Sequence, residues 1–525
     1  MHRRDFLQAG LGASIAVIGC TPPDTIPKPV TAQTPPPVPK AEPPAPTPAK
    51  ITYFAKFGID AAMLSQTLTA ALSKGGDYAD VFIQHKVSRV MALEDGEVNR
   101  AYASVELGAG VRVVKGDQTG YAYTEDLTLD ALTNAAKTAA AIADGPATPG
   151  PQSFRADPGP AGAFPDRYRL VRPWEEVKPA EKLPLLTSLN ERTYKVDNRI
   201  KKVSLNLSDE YGAVLIADSL GRLVEDLQPM TYLGLSCVAE DKGQRQQNGY
   251  AVAGRQGFDF YNDERMGRLV REAVARTTIL FEAAQPPAGE MQVVMAAGAS
   301  GILLHEAMGH GMEADFNRKN ISIYSDKIGK PVANSAVTII DDGTRMGDRG
   351  AINVDDEGNV AQKTTLVEKG ILATYLHDSI SAKHYKLQTT GSGRRESYKF
   401  APLPRMRSTY MANGPSKKEE IIASVKKGIY CSNFTNGQVK IGAGDFTFYV
   451  KNGYLIEDGK LTRPITDVNI IGNGPKVLEK VDMVADDLAF DEGGWNCGKD
   501  GQSVPVSLGM PTVRVAQITV GGKKA

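Results

Sequence analysis

The stretch QVVMAAGASGILLHEAMGH, residues 292–310, predicts a strand, a tight turn and a buried helix in immediate succession. Gln292 to Ala296 read as the strand, Ala297-Gly298-Ala299 as a small-residue turn, and Ser300 as a helix N-cap ahead of the apolar run ILLHEAM. Two of the six histidines in the chain, His305 and His310, flank Glu306 at the end of that run. Metal-binding helices commonly write H-E-x-x-H, which sets both histidines on one face with the glutamate beside them. Here the pattern is H-E-x-x-x-H, one residue longer. On an ideal helix the longer step turns the side chain by about 140° instead of about 40°. Two local geometries repair the mismatch. A π-bulge widens the turn so that residues five apart return toward one face. Alternatively, the helix ends near Met308 and His310 swings inward on a backbone loosened by Gly309 and Gly311. The structural alternative is a core helix whose His305 bonds a backbone carbonyl while His310 sits near the surface.

If the two histidines share a metal, Glu306 can take a proton from a metal-acidified water and later deliver it to a leaving amine. Zinc suits nitrogen and thiolate donors, and a catalytic zinc takes three protein ligands with a fourth position open. Four downstream residues are candidates for the third ligand. His377 and His384, in TYLHDSISAKHYK, read as ordinary polar histidines, and Cys431 follows the apolar GIY as a small core residue. Cys497, in GGWNCGKDGQSVP, differs from these. Glycines around it let the backbone approach a site closely, and Lys499 would favour the thiolate. Cys497 is therefore the expected third ligand. Glu313 and Asp315 would either orient a ligand histidine or stand as solvated acids past a helix end.

At 525 residues the chain is long enough for two or three domains with a large core. Its 61 basic and 61 acidic residues balance, which argues against nucleic acid or an anionic membrane surface as partner. The first twenty residues, MHRRDFLQAGLGASIAVIGC, resemble a twin-arginine export signal through Arg3 and Arg4, ending in a lipobox with Cys20 as the lipid-bearing residue. Residues 21–50 are Pro-rich and should form an extended tether. The expectation is an exported periplasmic or cell-surface lipoprotein that meets the membrane only through Cys20. Beyond Cys20 only Cys237, Cys431 and Cys497 remain, an odd number, so at least one has no disulfide partner within the chain.

The expected fold class is α+β, in three parts. Residues 51–160 should form a first domain, an α/β region of short antiparallel strands (ADVFIQHK, VSRVMALEDG, GAGVRVVKGDQTGYAY) and a helix capped by Thr124 or Thr128. Residues 146–165 read as a Pro/Gly-rich linker. A central domain, 161–286, should hold a helix over EVKPAEKLPLLTSLNERTYKVD, strands around KKVSLNLSDEYGAVLIADSLGRLVED and PMTYLGLSCVAEDKG, and a closing helix over DERMGRLVREAVARTTILF. Residues 287–525 should be a β-rich C-terminal domain carrying the histidine motif.

HEAMGHGMEADFNR, GSGRRESYKFAPLPRMRSTYM, GIYCSNFTNGQV and CGKDGQSVPV occur in the order seen in the TldD branch of the TldD/TldE (PmbA) peptidase family, which this chain resembles over residues 77–520. The resemblance implies a C-terminal zinc metallopeptidase domain, one Zn2+ per catalytic chain held by His305, His310 and Cys497, and Glu306 as the base. It further implies dimers, with itself or with a TldE-like subunit, that admit unfolded peptides bound extended along a strand edge. Arg394, Arg395, Glu396, Ser397 and Tyr398 match a family segment and would bind substrate backbone, steady an oxyanion, or form structural ion pairs. The functional expectation is a zinc metallopeptidase acting on unfolded peptides or small protein substrates. The alternatives are a peptide-binding or maturation subunit without catalysis, and a metal hydrolase of non-peptide amides.

Overall fold

The computed structural model describes residues 50–156 and 165–522. The expected export signal, the anchor Cys20 and the tether up to residue 49 lie outside the described residues. Among the described residues no helix is long and apolar enough to cross a membrane.

The N-terminal half builds one twisted seven-stranded sheet. Helix α1 (Ala61–Ala71) precedes strands β1 (Tyr78–Glu94), β2 (Glu97–Lys115) and β3 (Gln118–Thr124), and helix α2 (Leu129–Ala140) follows. Then come α3 (Pro179–Val196), β4 (Ile200–Asp218), β5 (Arg222–Asp241), β6 (Gln244–Gly254) and α4 (Asp263–Thr278). Strand order is β3-β2-β1-β4-β5, with β6 and the short strand Arg155–Ala156 both pairing the outer edge of β5. Residues 78–124 and 200–254 therefore share a single hydrogen-bonded sheet, joined by the antiparallel β1 and β4.

Each helix starts on the chemistry its sequence offers. The Asp60 side chain accepts from the Met63 amide, Thr128 from Ala131 and Asn262 from Arg265, so Thr128 is the cap chosen of the two expected for α2. The strands are longer than expected, with 17 residues in β1 and 19 in β2. Asp95 and Gly96, both at positive φ, close this hairpin as a two-residue Asp-Gly turn. The alternation looks broken in sequence because the first half of β2 is exposed on both faces and only the second half is buried. β5 also runs unbroken through Pro229, where a separate strand was expected to begin. Pairing to β6 starts only at Thr231, so the missing amide of Pro229 leaves no gap in that ladder.

Strand residues alternate between faces. One face, with Val81, Ile83, Val111, Val113 and Leu215, packs under α1 and α2, and its continuation through Leu205, Leu207, Leu233 and Leu235 packs under α3 and α4. The opposite face, including Phe82, Val214 and Ile216, receives Val354 and Tyr398 of the C-terminal half. Arg112 on β2 crosses this junction. Its Nε donates to Asp80 at 2.6 Å and its Nη1 to Glu357 at 2.8 Å, all three side chains being buried.

The C-terminal half is β-rich. Strands β7 (Gly289–Met295), β8 (Lys427–Lys440), β9 (Asp445–Glu457) and β10 (Val468–Asn473) are followed by the hairpin β11 (Asn496–Lys499) and β12 (Gln502–Pro505), and then by β13 (Val513–Gly521). The order β8-β7-β13-β10-β9, with β9 also pairing β8, closes these strands into a barrel. Val293, Ile429, Phe434, Phe448 and Val515 belong to the core that the motif helix joins through Leu303, Leu304 and Met308.

Candidate metal centre

β7 ends at Met295, and the next amides are taken up by neighbouring strands, Ala296 donating to Cys431 O and Gly298 to Met510 O. The chain then turns through Ala299–Gly301 and enters a short α-turn, Ile302–Leu304. Ser300 does not cap this turn. It lies inside the preceding 3-10 turn, and its hydroxyl donates back to the Ala296 carbonyl. Small side chains there allow close contact with the strand Ser507–Met510, so tertiary packing shapes the entry in place of a cap.

From His305 to Gly309 the backbone is a π-turn, and His310–Met312 follows as a 3-10 turn. The inserted residue is thus absorbed by a wider turn, and the helix ends just after. Of the two repairs open to the sequence the π-turn is the one used: Gly309 and His310 keep helical dihedrals and the chain leaves the helical turns only at Glu313, so the end near Met308 does not occur. Tyr324 Oη donates to Ala307 O at 2.9 Å, while Asn317 and Ser322 side chains donate to Gly311 O at 2.8 and 2.6 Å, so carbonyls freed by the irregular turns are satisfied. The two imidazole rings stand 4.9 Å apart between centroids, at 86°.

β11 carries Cys497 to the same point. Ligand atoms of His305, His310 and Cys497 all lie within 4.8 Å of one another, and all three residues are buried. Cys497 Sγ is 3.6 Å from His310 Nε2. Bonds of about 2.3 Å to sulfur and 2.0–2.1 Å to nitrogen, at a tetrahedral angle, separate two such donors by about 3.6 Å. His305 Nδ1 is buried without a hydrogen-bond partner among the described residues. Two imidazoles, one thiolate-forming cysteine and this orphaned nitrogen fit a metal ion.

The surrounding charges prepare the donors. His310 Nδ1 pairs with Glu313 Oε2 at 3.0 Å, which leaves Nε2 facing Cys497. Burial works against a charged His310, but Glu313 and Cys497 outweigh it and hold its pKa well above the ordinary value. Burial also opposes the Cys497 thiolate, and the two histidines reverse that, holding the thiol well below its ordinary range. Glu313 is fully buried, yet Lys499, His310 and Arg405 keep its carboxyl down to about 2. Lys499 differs from expectation. Its ammonium bonds Glu313 at 3.1 Å and Asp315 at 2.7 Å rather than the cysteine, because Lys499 must neutralise two buried carboxylates.

Glu306 is half-buried beside the ligands, with its Cγ facing β8 at Gly437. Among the described residues its carboxylate makes no hydrogen bond or ion pair. The other ligand candidates lie elsewhere. His377 is buried next to Thr374, His384 is exposed, and Cys431 sits in the barrel core, where burial pushes its thiol up. Arg405, not singled out from sequence, donates to the Cys497 carbonyl and lies 4.0 Å from Glu313. No motif spacing links it to the site.

Three family models cover most of this body. They match residues 79–143 as PmbA/TldA metallopeptidase domain 1, 172–281 as the central domain and 288–522 as the C-terminal domain. The chain belongs to the TldD/PmbA metallopeptidase family. A metalloprotease TldD homolog of Haemophilus influenzae is 40% identical over 455 residues, 85% of this chain and 93% of that protein. A zinc metalloprotease TldD homolog of Saccharolobus solfataricus is 31% identical over 239 residues, 45% of this chain and 53% of that protein. The solved structure of TldE from Thermococcus kodakarensis shares the fold with a TM-score of 0.67 at 18% identity, covering 85% of this chain and 97% of that one. The family assignment makes this chain a metallopeptidase by descent, and the buried His/His/Cys cluster lies within the matched C-terminal domain.

Proposed function

We propose that this chain is a zinc metallopeptidase of the H-E-x-x-x-H type that hydrolyses peptide bonds in unfolded peptides or small protein substrates. The observation that carries this is the convergence of His305, His310 and Cys497, with Glu306 next in the chain to His305 and making no hydrogen bond or ion pair among the described residues. His305, His310 and Cys497 would hold the zinc, as the donor set and the naming of the Saccharolobus relative as a zinc metalloprotease both favour. A bound zinc would supply Lewis-acid polarisation of the scissile carbonyl and would acidify a nearby water. Glu306, without a partner among the described residues, takes the proton of the attacking water and returns it to the leaving amine. Glu313 holds His310 in one orientation, and Lys499 with Arg405 keeps Glu313 ionised in a buried place.

Glu306→Gln keeps shape and donors but removes the proton acceptor. It should lower peptide cleavage by at least about a hundredfold while zinc measured in the purified protein stays unchanged; cleavage that survives rules Glu306 out as the base. A peptide-binding or maturation subunit without catalysis is the competing reading, and a buried His/His/Cys set has no use in it. The TldE-like fold favours assembly with a TldE-like subunit or a second copy of this chain. Arg3, Arg4 and Cys20 support export by a twin-arginine route and anchoring at Cys20. Cys20→Ser should move the protein from the membrane to the soluble fraction, and a variant still in the membrane pellet counts against the anchor.

A further inference from the structure

Where the C-terminal half covers the helix-free face of the N-terminal sheet, two clefts of about 670 and 390 Å³ remain, sharing Tyr232 and Gly494 in their walls. The larger runs past Ala299, Asn433, Phe434, Thr435 and Trp495, segments that flank the motif helix and the strand facing Glu306. The smaller is lined by four arginines, Arg255, Arg349, Arg394 and Arg395, each more than nine-tenths buried.

Arg395 has an acidic partner, Asp80 at 3.5 Å. The other three make no ion pair among the described residues. Arg394 commits its terminal nitrogens to the carbonyls of Met406 and Pro505, at 2.7 and 2.8 Å. Arg349 donates to Trp495 O at 3.3 Å and to Asn496 Oδ1 at 2.7 Å, and Arg255 to Pro229 O at 3.4 Å with its Nε buried and unpartnered. The acids in the cleft wall act on these arginines only from beyond ion-pair range: Asp356, which accepts from the Arg395 amide, faces Arg394 and Arg255, and Glu210 faces Arg349, while Glu396 accepts from the Ser503 amide. Buried guanidiniums whose direct bonds go to neutral oxygens, with carboxylates only at longer range, are partly compensated, so a further anion in contact with them is favourable. Burial lowers Arg394 to about 9 and Arg349 to about 10.

The position of the cleft ties it to the metal centre. Neighbouring residues of β11 point to opposite faces, so Cys497 joins the histidines while Asn496 reaches Arg349. The two therefore lie on opposite faces of the same strand, within reach of one extended peptide. We propose that the arginine cleft is a carboxylate-binding subsite, in which Arg255, Arg349 and Arg394 receive a carboxylate of a peptide lying extended in the larger cleft. The carboxylate is either the C-terminal one or that of an Asp or Glu side chain. The subsite deepens the peptidase reading and rests on it for its substrate class.

Four versions of one labelled peptide test this, combining a free or amidated C-terminus with Glu or Gln inside. Binding is measured by anisotropy to the full-length Glu306→Gln protein, and cleavage with the wild type. The carboxylate-bearing peptide should bind about tenfold or more tighter than the neutral one, and whether the C-terminus or the Glu confers this identifies the source. In Arg349→Gln and Arg394→Gln combined with Glu306→Gln, the ratio should fall toward one. Equal binding of all four peptides by the Glu306→Gln protein, or a ratio unchanged in both arginine variants, overturns the subsite. The first comparison needs no arginine variant, so a misfolded variant does not decide the matter. Cleavage of all four peptides without preference would leave the peptidase standing and remove the subsite; tight acidic binding with no cleavage by wild type would do the reverse.

Discussion

His377, passed over as a ligand, still reports on its surroundings. Its ring is buried against Tyr375 and Tyr385, and burial pushes its pKa down to about 4. An ordinary histidine in the unfolded chain titrates near 6.5, so the unfolded state takes up the proton first as the pH falls. The stability tied to neutral His377 is present above about pH 6.5 and is lost as the pH drops toward 4. Between pH 7 and pH 5 the loss should be about 2 kcal/mol. His377→Phe should remove that part of the pH dependence, read from urea unfolding of both proteins at the two pH values; equal slopes would refute it. At this scale the donors His305, His310 and Cys497, and the carboxylate of Glu306, were legible because their chemistry is carried by residue type and spacing. Lys499 and Arg405 were not, because their roles depend on buried acids placed against them by folding.

The π-turn is an element that other elements hold in place. Gly474, at the start of the short helix Gly474–Glu479, lies against it, and a Cβ added there would stand 1.9 Å from the Ala307 carbonyl oxygen. That oxygen belongs to backbone and cannot rotate away. Gly474→Ala should destabilise the protein by about 1–3 kcal/mol, checked by thermal unfolding, and should weaken zinc retention in a chelator titration; unchanged retention would mean that the turn tolerates the push. Spacing alone announced that the helix must deviate between His305 and His310. It left open a wider turn or an early end, and packing from Tyr324, Asn317 and Gly474 holds the wider turn, with the helical turns running on past His310 to Met312. The long hairpin of β1 and β2 was read as shorter pieces, since exposure changes along β2 and a period-two pattern reports only the half that is covered.

Across the whole molecule, the sheet and the barrel are locked by buried charge as well as by apolar contact. Arg112 on β2 bridges Asp80 and Glu357, and removing it leaves buried Glu357 without its cation and buried Asp80 with Arg395 alone, at 3.5 Å. Arg112→Met should cost about 3–5 kcal/mol, measured by urea unfolding; a loss below about 1 kcal/mol would show that the bridge is dispensable. Tyr398 completes the same junction, its ring edge-on to Tyr123 within the cluster that includes Phe82, and its carbonyl accepting from Tyr121 Oη at 2.7 Å. Segment 394–398 thus meets two demands left open by its sequence: Arg395 and Tyr398 fasten the halves, while Arg394 faces the cleft. By itself the sequence determined the α+β class, the β-rich C-terminal half and the set of metal-capable donors, because periodicity and residue chemistry are local properties. The tertiary structure alone decided that residues 78–124 and 200–254 share one sheet, and that Cys497 lies 3.6 Å from His310. It also decided that Arg255, Arg349 and Arg394, without an ion pair among the described residues, gather in a cleft beside them. Those meetings join residues far apart along the chain, and loop closure and packing, which no local pattern encodes, bring them together.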